Sequence, residues 1–343
     1  MGLARHAVLP GVSSSNYDVT LDGQRFLVVR YDDRVAAKRI VVNSIGRKNL
    51  RVKSLTMSRQ DEETISRWSE SAPYWEKHRE VIRKMFAPIT EALTKDVDVA
   101  SNSAVLDVAT GPGEPALSIA EVLEREGEGK VLGIDPVPEM VAAARRAAGR
   151  LCLKNAQFEV GFAEKLPFSS ATFDAAVSRF GVMFFSSPVD GVREMLRVLK
   201  PGKKLAFAVW HFAENNPFHY TVSRVVERYV ESPLPPPDAP DAFRFAAPGK
   251  LREVLAEAGA IAASERLLRF SIKAAISIED FWTLRHAMSE KLREKLAILS
   301  KDQMTEVKRE VMDALRAYST EGGMSFPAEV LIVSGKKPLP GSE

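Results

Sequence analysis

The sequence predicts a doubly wound α/β fold with a mostly parallel sheet, and three observations predict it. Apolar strand-like runs alternate with helical patterns from residue 104 to residue 210, the arrangement expected of βαβ units. The run Val105-Leu-Asp-Val-Ala-Thr-Gly-Pro-Gly113 reads as a buried strand, a glycine turn and a helix start. Asp135 closes the next strand-like run, Val131-Leu-Gly-Ile-Asp135. It sets a carboxylate at the sheet edge where nucleotide-like ligands lie in such folds.

Residues 1–56 read differently from the rest. Tyr17 to Val29 alternates around Asp22-Gly23, a hairpin signal, and Arg39-Ile-Val-Val-Asn43 reads as a further strand. The pattern D-G-x-R-F-L resembles a blade of bacterial β-propellers, and one partial blade does not bury its own faces. Met57-Ser-Arg-Gln-Asp61 looks like a natural start. Residues 1–56 are therefore expected to be a dispensable β-rich extension, a remnant of a fusion or gene boundary. The alternative is a genuine β-extension packed on the main domain.

The main domain then unfolds in order. Trp68, Ala72, Trp75, Arg79 and Ile82 recur at helical steps within 61–94. Strands are expected at 104–109, 130–135, 156–161, 173–178 and 203–210, and helices at 115–126, 137–149 and 188–199. Lys200-Pro-Gly202 reads as a tight turn into the last of these strands. A helix over 216–231, the linker Ser232-Pro-Leu-Pro-Pro-Pro-Asp-Ala-Pro240, a helix over 248–258 and a strand near 262–272 follow. Ser277-Ile-Glu-Asp280 reads as a capping box opening a helical stretch to about residue 320, and Val330-Leu-Ile-Val-Ser334 is a final strand. The sum is a Rossmann-like, seven-stranded sheet with a helical cap inserted between its last two strands and an N-terminal β-extension.

Composition narrows the function. The chain has 343 residues, 45% hydrophobic and 27% charged, as in globular proteins. No window offers the uncharged apolar length of a membrane span, and Met1 to His6 lacks a signal-peptide core, so a cytosolic location is expected. The single cysteine, Cys152, excludes an internal disulfide and a multi-cysteine metal site. Of the 48 Lys and Arg and 45 Asp and Glu, residues 1–56 hold 10 and 4, leaving 38 against 41 elsewhere. The basic character is confined to the N-terminal segment, and the main body makes no electrostatic case for nucleic acid. The oligomeric state stays open.

Gly111-Pro-Gly113 with Ala116 nearly fits a dinucleotide fingerprint, with Asp135 at a tolerable distance. Asp107, just before the turn, would repel a pyrophosphate and welcome the ammonium of an amino-acid ligand. A dinucleotide-dependent oxidoreductase is thus disfavoured.

Four segments in this order are similar to the class I S-adenosylmethionine-dependent methyltransferases, closest in style to the ubiquinone/menaquinone-biosynthesis branch. They are V-L-D-V-A-T-G-P-G-E-P-A-L (105–117), G-I-D-P-V-P-E-M-V-A-A-A-R (133–145), A-E-K-L-P-F-S-S-A-T-F-D-A-A-V-S-R-F-G-V-M-F-F (163–185) and R-E-M-L-R-V-L-K-P-G-K-K-L-A-F-A-V-W (193–210). The resemblance is absent before residue 60 and only general after 211. It implies that 57–343 is a methyltransferase domain, with lid helices at 57–100, a cofactor-binding core at 101–215 and a substrate side at 216–343.

By that resemblance the cofactor is S-adenosyl-L-methionine. Asp107 engages its amino group, the backbone of Ala109, Thr110, Gly111 and Gly113 wraps the methionine moiety, and Asp135 accepts the ribose hydroxyls. Pro136 and Met140 pack on adenine. Phe162 stands where the family often has an aspartate for the adenine amine, so adenine contacts fall to Phe162, the Ala163 amide and Glu164, unless Glu164 is a solvated carboxylate. Ser178 and Phe180 border the cofactor at the end of the fourth strand. A binding protein that holds the cofactor without turnover is the rival reading that Phe162 leaves open.

The acceptor is less legible. The chain lacks the Asn-Pro-Pro-Tyr run of amine-directed relatives and a Pro-Cys nucleophile, which points to an oxygen or carbon of a small molecule. Arg179 is a candidate to hold an acidic or enolate acceptor, or else a buried structural ion pair. His211, after the fifth strand, is the candidate base, with a packing role as the alternative, and His219 is weighed likewise. Tyr74, Trp75 and His78 belong to a helix that lids the cofactor in this family, or simply bury an amphipathic face. Phe281, Trp282 and Met288 in the cap point to a lipophilic or aromatic acceptor, and equally suit a packed helix pair.

Overall fold

The structure is a computed structural model, and it describes the backbone of residues 16–19, 26–31, 39–44 and 51–56 together with residues 59–230, 236 and 238–341. The chain divides into two compact units, Met1–Thr64 and Ile65–Glu343. In the first, β1 (Asn16–Val19), β2 (Phe26–Tyr31), β3 (Arg39–Ser44) and β4 (Arg51–Thr56) pair antiparallel in chain order. β1 and β2 flank the expected Asp22-Gly23 turn, which lies outside the described residues. β4 has no counterpart in the sequence reading.

Three helices precede the large sheet: α1 (Arg59–Lys77), α2 (Arg79–Met85) and α3 (Ala87–Asp96). The expected continuous pattern is broken at His78, the N-cap of α2, and at Phe86, which ends α2 and opens α3. The alternating core runs β5 (Ala104–Val108), α4 (Ala116–Glu126), β6 (Lys130–Asp135), α5 (Pro138–Arg150), β7 (Ala156–Val160), β8 (Phe173–Arg179), α6 (Pro188–Val198) and β9 (Leu199–Trp210). The substrate-side half adds α7 (Pro217–Val226), α8 (Lys250–Glu257), β10 (Ile261–Ala274), α9 (Ile278–Met288), α10 (Glu290–Ala297), α11 (Lys301–Leu315), β11 (Ser319–Thr320) and β12 (Gly323–Lys336).

The sheet order is β10-β12-β9-β8-β5-β6-β7, with the short β11 paired to β12. β5 pairs parallel with both β6 and β8, so the chain winds outward in two directions from β5. That switch point is where the carboxyl ends of the strands leave a crevice. β12 is antiparallel to β9 and to β10. β5 is buried along nearly its whole length, as a central parallel strand covered on both faces must be. α5 buries Met140, Val141, Ala143, Ala144, Ala147 and Ala148, spaced three and four apart so that small residues bring one face close to the sheet.

Two element boundaries differ from the expected ones. β9 begins at Leu199, through the Lys200-Pro-Gly202 stretch read as a turn. Gly202 takes a left-handed φ of 73°, and the ladder to β8 slips between Phe173 and Ala175, so the chain bulges without leaving the sheet. β12 extends far upstream of Val330, through Pro327. Residues 325–329 pair with β10 on one side only, where a missing N–H is tolerated.

The cap between β10 and β12 is built as three helices. The Ser277–Asp280 capping box is present, with the Asp280 amide donating to Ser277 Oγ at 3.0 Å. Phe281, Leu284, Leu292, Val307 and Leu315 join the same core as the sheet. Among the described residues no helix is long and apolar enough to cross a membrane.

Candidate active site

β5 delivers Asp107 to the switch point, fully buried. Its Oδ2 accepts from the Thr110 hydroxyl at 2.6 Å and from the Ala116 amide at 3.1 Å. These bonds tie the strand end to the turn and to the first residue of α4. Its Oδ1 is equally buried and has no hydrogen-bond partner. Burial pushes the carboxyl up to about 7, against the opposing pull of the Thr110 hydroxyl, the Arg179 charge and the Ala116 amide. A buried, half-satisfied carboxylate is costly, and a cation placed against Oδ1 would relieve it.

The turn after β5 is strained. Ala109 and Gly111 adopt φ of 58° and 56°, and Gly113 of 107°; a non-glycine residue in this region is uncommon and clusters at functional sites. A Cβ added to Gly111 would meet nothing within 4 Å, so the turn presents bare backbone to open space. The Thr110 amide donates to the Ile134 carbonyl at 3.1 Å, binding the turn to the end of β6. There Asp135, also buried, accepts from the Gly111 amide on Oδ2 at 2.8 Å and from the Val137 amide on Oδ1 at 3.0 Å. Burial raises its carboxyl to about 6 despite those two bonds. Each oxygen retains acceptor capacity.

Beyond Asp135, Val137 and Met140 form a small cluster with Ala72, packed by Trp68 and Trp75. Pro136 beside them is half-buried. The helix α1 is held along α5 by Ser69 donating to Glu139 at 2.8 Å and by the Arg146 guanidinium donating to both oxygens of Glu76 at 3.0 and 2.6 Å. Tyr74 of the same helix is exposed, whereas His78 Nε2 and Trp75 Nε1 are buried without partners. After β7, Phe162 is half-buried and Ala163 buried. Glu164 accepts from the Ser187 amide at 3.2 Å, just before α6, so one of its oxygens serves that loop.

At the end of β8, Ser178 is fully buried with an unpartnered Oγ. Gly181 is forced by close approach: a Cβ there would lie 2.4 Å from the Ala109 Cβ and 2.6 Å from Ser178 Oγ. Phe180, at a φ of 63°, stacks on Trp210 at 4.3 Å with planes 6° apart. Arg179 donates to Thr90 Oγ1 at 3.0 Å and lies over the Phe86 ring at 5.8 Å. Burial lowers its pKa, and the charges of Glu114 and Asp107 resist that fall. Glu114 also faces Arg79 at 3.7 Å. Arg179 thus belongs to a charge cluster beneath the glycine turn.

His211 is tied down. Its Nδ1 lies 2.8 Å from Glu329 Oε2, Asn215 Nδ2 donates to the same oxygen at 2.9 Å, and Arg269 donates to the other at 2.8 Å. A cavity of about 360 Å³ opens beside this cluster, lined by Asn215, Tyr220, Arg269, Tyr318 and Glu329 among others. His211 is not in that lining. Val137, Glu114, Trp210 and Arg285 carry no site assignment in the sequence reading, and Arg79 enters it only as a helix-spacing position. Glu114 abuts the glycine run and Trp210 ends a strand run, so position in the motif was the available signal for those two.

Known proteins share this region. Residues 105–202 match the family model of a methyltransferase domain. Demethylmenaquinone methyltransferase of Chlorobaculum parvum is 41% identical over 108 residues, 32% of this chain and 41% of that protein. The ubiquinone/menaquinone biosynthesis C-methyltransferase UbiE of a Geobacter species is 40% identical over 107 residues, 29% of this chain and 43% of that protein. The chain therefore spans less than half the length of these curated relatives. Among solved structures, phosphoethanolamine N-methyltransferase 2 of Haemonchus contortus, in complex with phosphomonomethylethanolamine and S-adenosylhomocysteine, superposes with a TM-score of 0.51. At 13% identity, over 90% of this chain and 72% of that one, the likeness is one of fold. Residues 105–202 thus match a methyltransferase domain, and over that stretch the chain is similar to the quinone-biosynthesis methyltransferases.

Proposed function

We propose that the protein transfers a methyl group from S-adenosyl-L-methionine to an oxygen or carbon of a small, lipophilic or aromatic acceptor by direct displacement. The observation that carries this reading is Asp107, buried at the end of β5 with an orphan Oδ1 beside a bare glycine turn. The cofactor fits the residues present. Asp107 Oδ1 takes its ammonium, the backbone of Ala109, Thr110, Gly111 and Gly113 follows the methionine chain, and Asp135 accepts from the ribose hydroxyls. Val137, Met140 and Pro136, together with Phe162, Ala163 and Glu164, would hold the adenine. Ser178 and Phe180 border the sulfonium end. When bound, the cofactor supplies an electrophilic methyl carbon.

Methyl displacement asks the protein chiefly for alignment and exclusion of water. Arg179 serves by holding the charge balance of Asp107 and Glu114, and His211 by fixing the Asn215–Glu329–Arg269 corner. The curated relatives are named as quinone-pathway methyltransferases, which supports a quinol-like acceptor. The work takes place in the cytosol on this reading, and residues 1–56 are dispensable to it. Calorimetry with S-adenosylmethionine, S-adenosylhomocysteine and NAD, followed by turnover on a quinol and phenol panel, tests the proposal. Tight NAD binding with none for the methionine nucleosides would overturn it. The same titration on a chain lacking residues 1–56 checks the extension.

A further inference from the structure

Two buried charges beside the glycine turn have no task in the cradle described so far. Glu114, the residue after Gly113, is 7% exposed, and so is Arg79 of α2. Arg79 Nη1 and Glu114 Oε1 lie 3.7 Å apart, too far for a hydrogen bond, and among the described residues neither atom has a hydrogen-bond partner. The other Glu114 oxygen accepts from the Ser118 hydroxyl at 2.6 Å, and the Arg79 guanidinium is also paired with the more exposed Glu80. Arg83, one turn further along α2, lies 3.2 Å from Glu80 and 3.8 Å from Glu121 of α4. A buried pair met this loosely repays little of its desolvation, and well-packed apolar residues of similar volume often serve stability as well. Stability is therefore a poor account of why these two charges are here.

Their position gives a better one. Asp107 and Glu114 flank the same turn, with Asp107 Oδ2 accepting from the Ala116 amide two residues beyond Glu114. Burial raises both carboxyls, and the Arg179 charge on β8 pulls both back down. Arg79 and Arg83 pull on Glu114 in the same sense, while the charge of Glu114 pushes Asp107 up. Two guanidinium groups, Arg79 and Arg179, thus act on the turn beside which Asp107 Oδ1 lies unpartnered. Left unbalanced, they would repel a ligand cation there, and a buried site screens that repulsion poorly. Glu114 interacts with both of them.

We propose that Glu114 is a positioning residue for the amino-acid end of the cofactor: it neutralises Arg79 and Arg179, so that the charge met by the ligand ammonium is that of Asp107. This rests on the methyltransferase reading and adds to it the residue that makes the site select a nucleoside bearing an amino acid. Glu114 acts here through the field at Asp107 and not by touching the ligand.

The test titrates the full chain by calorimetry with S-adenosylhomocysteine and with methylthioadenosine, which shares the adenosine and the thioether sulfur but lacks the amino-acid end. Glu114→Gln keeps the side-chain shape and an oxygen for the Ser118 hydroxyl, and removes the charge. The preference for S-adenosylhomocysteine over methylthioadenosine should fall about tenfold, equivalent to one pKa unit of interaction with a nearby charge, with methylthioadenosine affinity unchanged. Proton release on S-adenosylhomocysteine binding should also move to lower pH, because Asp107 loses the neighbouring acid that pushes its carboxyl up. Arg79→Met removes a charge of the opposite sign and should spare the preference, and the double variant should regain most of what Glu114→Gln loses. Equal weakening of both nucleosides by Glu114→Gln would show a packing role and overturn this inference, as would an unchanged preference. If Glu114→Gln does not fold, the charge-balanced double variant decides: a preference about tenfold below that of the unaltered chain overturns the inference. Each of these outcomes leaves the cofactor reading standing, whereas an unaltered chain that binds neither nucleoside overturns both.

Discussion

The Gly111 amide donates to Asp135 Oδ2 at 2.8 Å, so the glycine turn after β5 and the carboxylate ending β6 are one hydrogen-bonded unit. Asp135 therefore fixes the turn, and on the proposed cofactor reading it also meets the ribose. Asp135→Ala removes both, together with the bond from the Val137 amide. Affinity for S-adenosylhomocysteine should fall by about 1–3 kcal/mol, the range for lost hydrogen bonds to a charged group, and calorimetry measures it. Unchanged affinity would remove Asp135 from the site.

Asp107 and Asp135 also set a pH dependence. Burial raises their carboxyls to about 7 and about 6, above the usual value of 3.8. The folded protein thus holds protons that the unfolded chain has already released. Their contribution to stability is complete below about pH 4 and is lost as pH rises through about 6 to 7. The ligand-free protein should lose melting temperature across that window on their account. Binding of a ligand ammonium against Asp107 favours its ionised form, so S-adenosylhomocysteine should release a proton on binding near pH 6. Calorimetry in buffers of different ionisation enthalpy reads this release, and Asp107→Asn should abolish Asp107's share of it.

Much of the cradle was legible because its constraints are local. A buried acid before a glycine turn and an acid closing the next strand are marked by residues within a few positions of one another, and alternation gave the sheet. Where the reading missed, partners distant in sequence decide. Lys200-Pro-Gly202 looks like a turn until β8 and β12 are there to hold β9 as it bulges. Pro327 looks like a strand breaker until residues 325–329 prove to be paired on one side only. His211 draws attention as a lone histidine after a strand, and Glu329, 118 residues away, engages its Nδ1. Arg285 is one more arginine on an amphipathic helix until the fold buries it, its Nε without a partner among the described residues.

Two glycine substitutions should separate packing from binding. Gly181→Ala drives a Cβ to within 2.4 Å of Ala109 and pinches the ends of β5 and β8 together. It should cost about 1–3 kcal/mol as overpacking, seen as a lower melting temperature. Gly111→Ala meets no atom within 4 Å but sits at a φ of 56°, which costs about 1–2 kcal/mol. Its methyl group also projects into the space assigned to the methionine chain. S-adenosylhomocysteine affinity should therefore suffer more from Gly111→Ala, relative to the stability loss, than from Gly181→Ala. Equal ratios in the two variants would mean that the turn does not face the ligand.

The α1 aromatics make a last prediction about the lid. Trp68 lies edge-on to Phe184 at 5.3 Å and 6.0 Å from Trp75, and with Trp75 it packs on the Ala72–Val137–Met140 cluster. The ion pairs of Glu76 with Arg146 and Arg150 are largely exposed and hold the helix only weakly, so if α1 lids the cofactor as proposed, the apolar contact carries the closure. Trp68→Ala removes that contact and leaves the Asp107 and Asp135 bonds intact. Each 1.4 kcal/mol of lost closure is about a tenfold change in affinity, and changes in related complexes fall mostly on the off-rate. S-adenosylhomocysteine should dissociate about tenfold faster from Trp68→Ala with little change in its association rate, as stopped-flow fluorescence of the remaining tryptophans reads. Glu76→Gln should leave the off-rate nearly unchanged, and a larger effect from Glu76→Gln than from Trp68→Ala would assign the closure to the ion pairs instead.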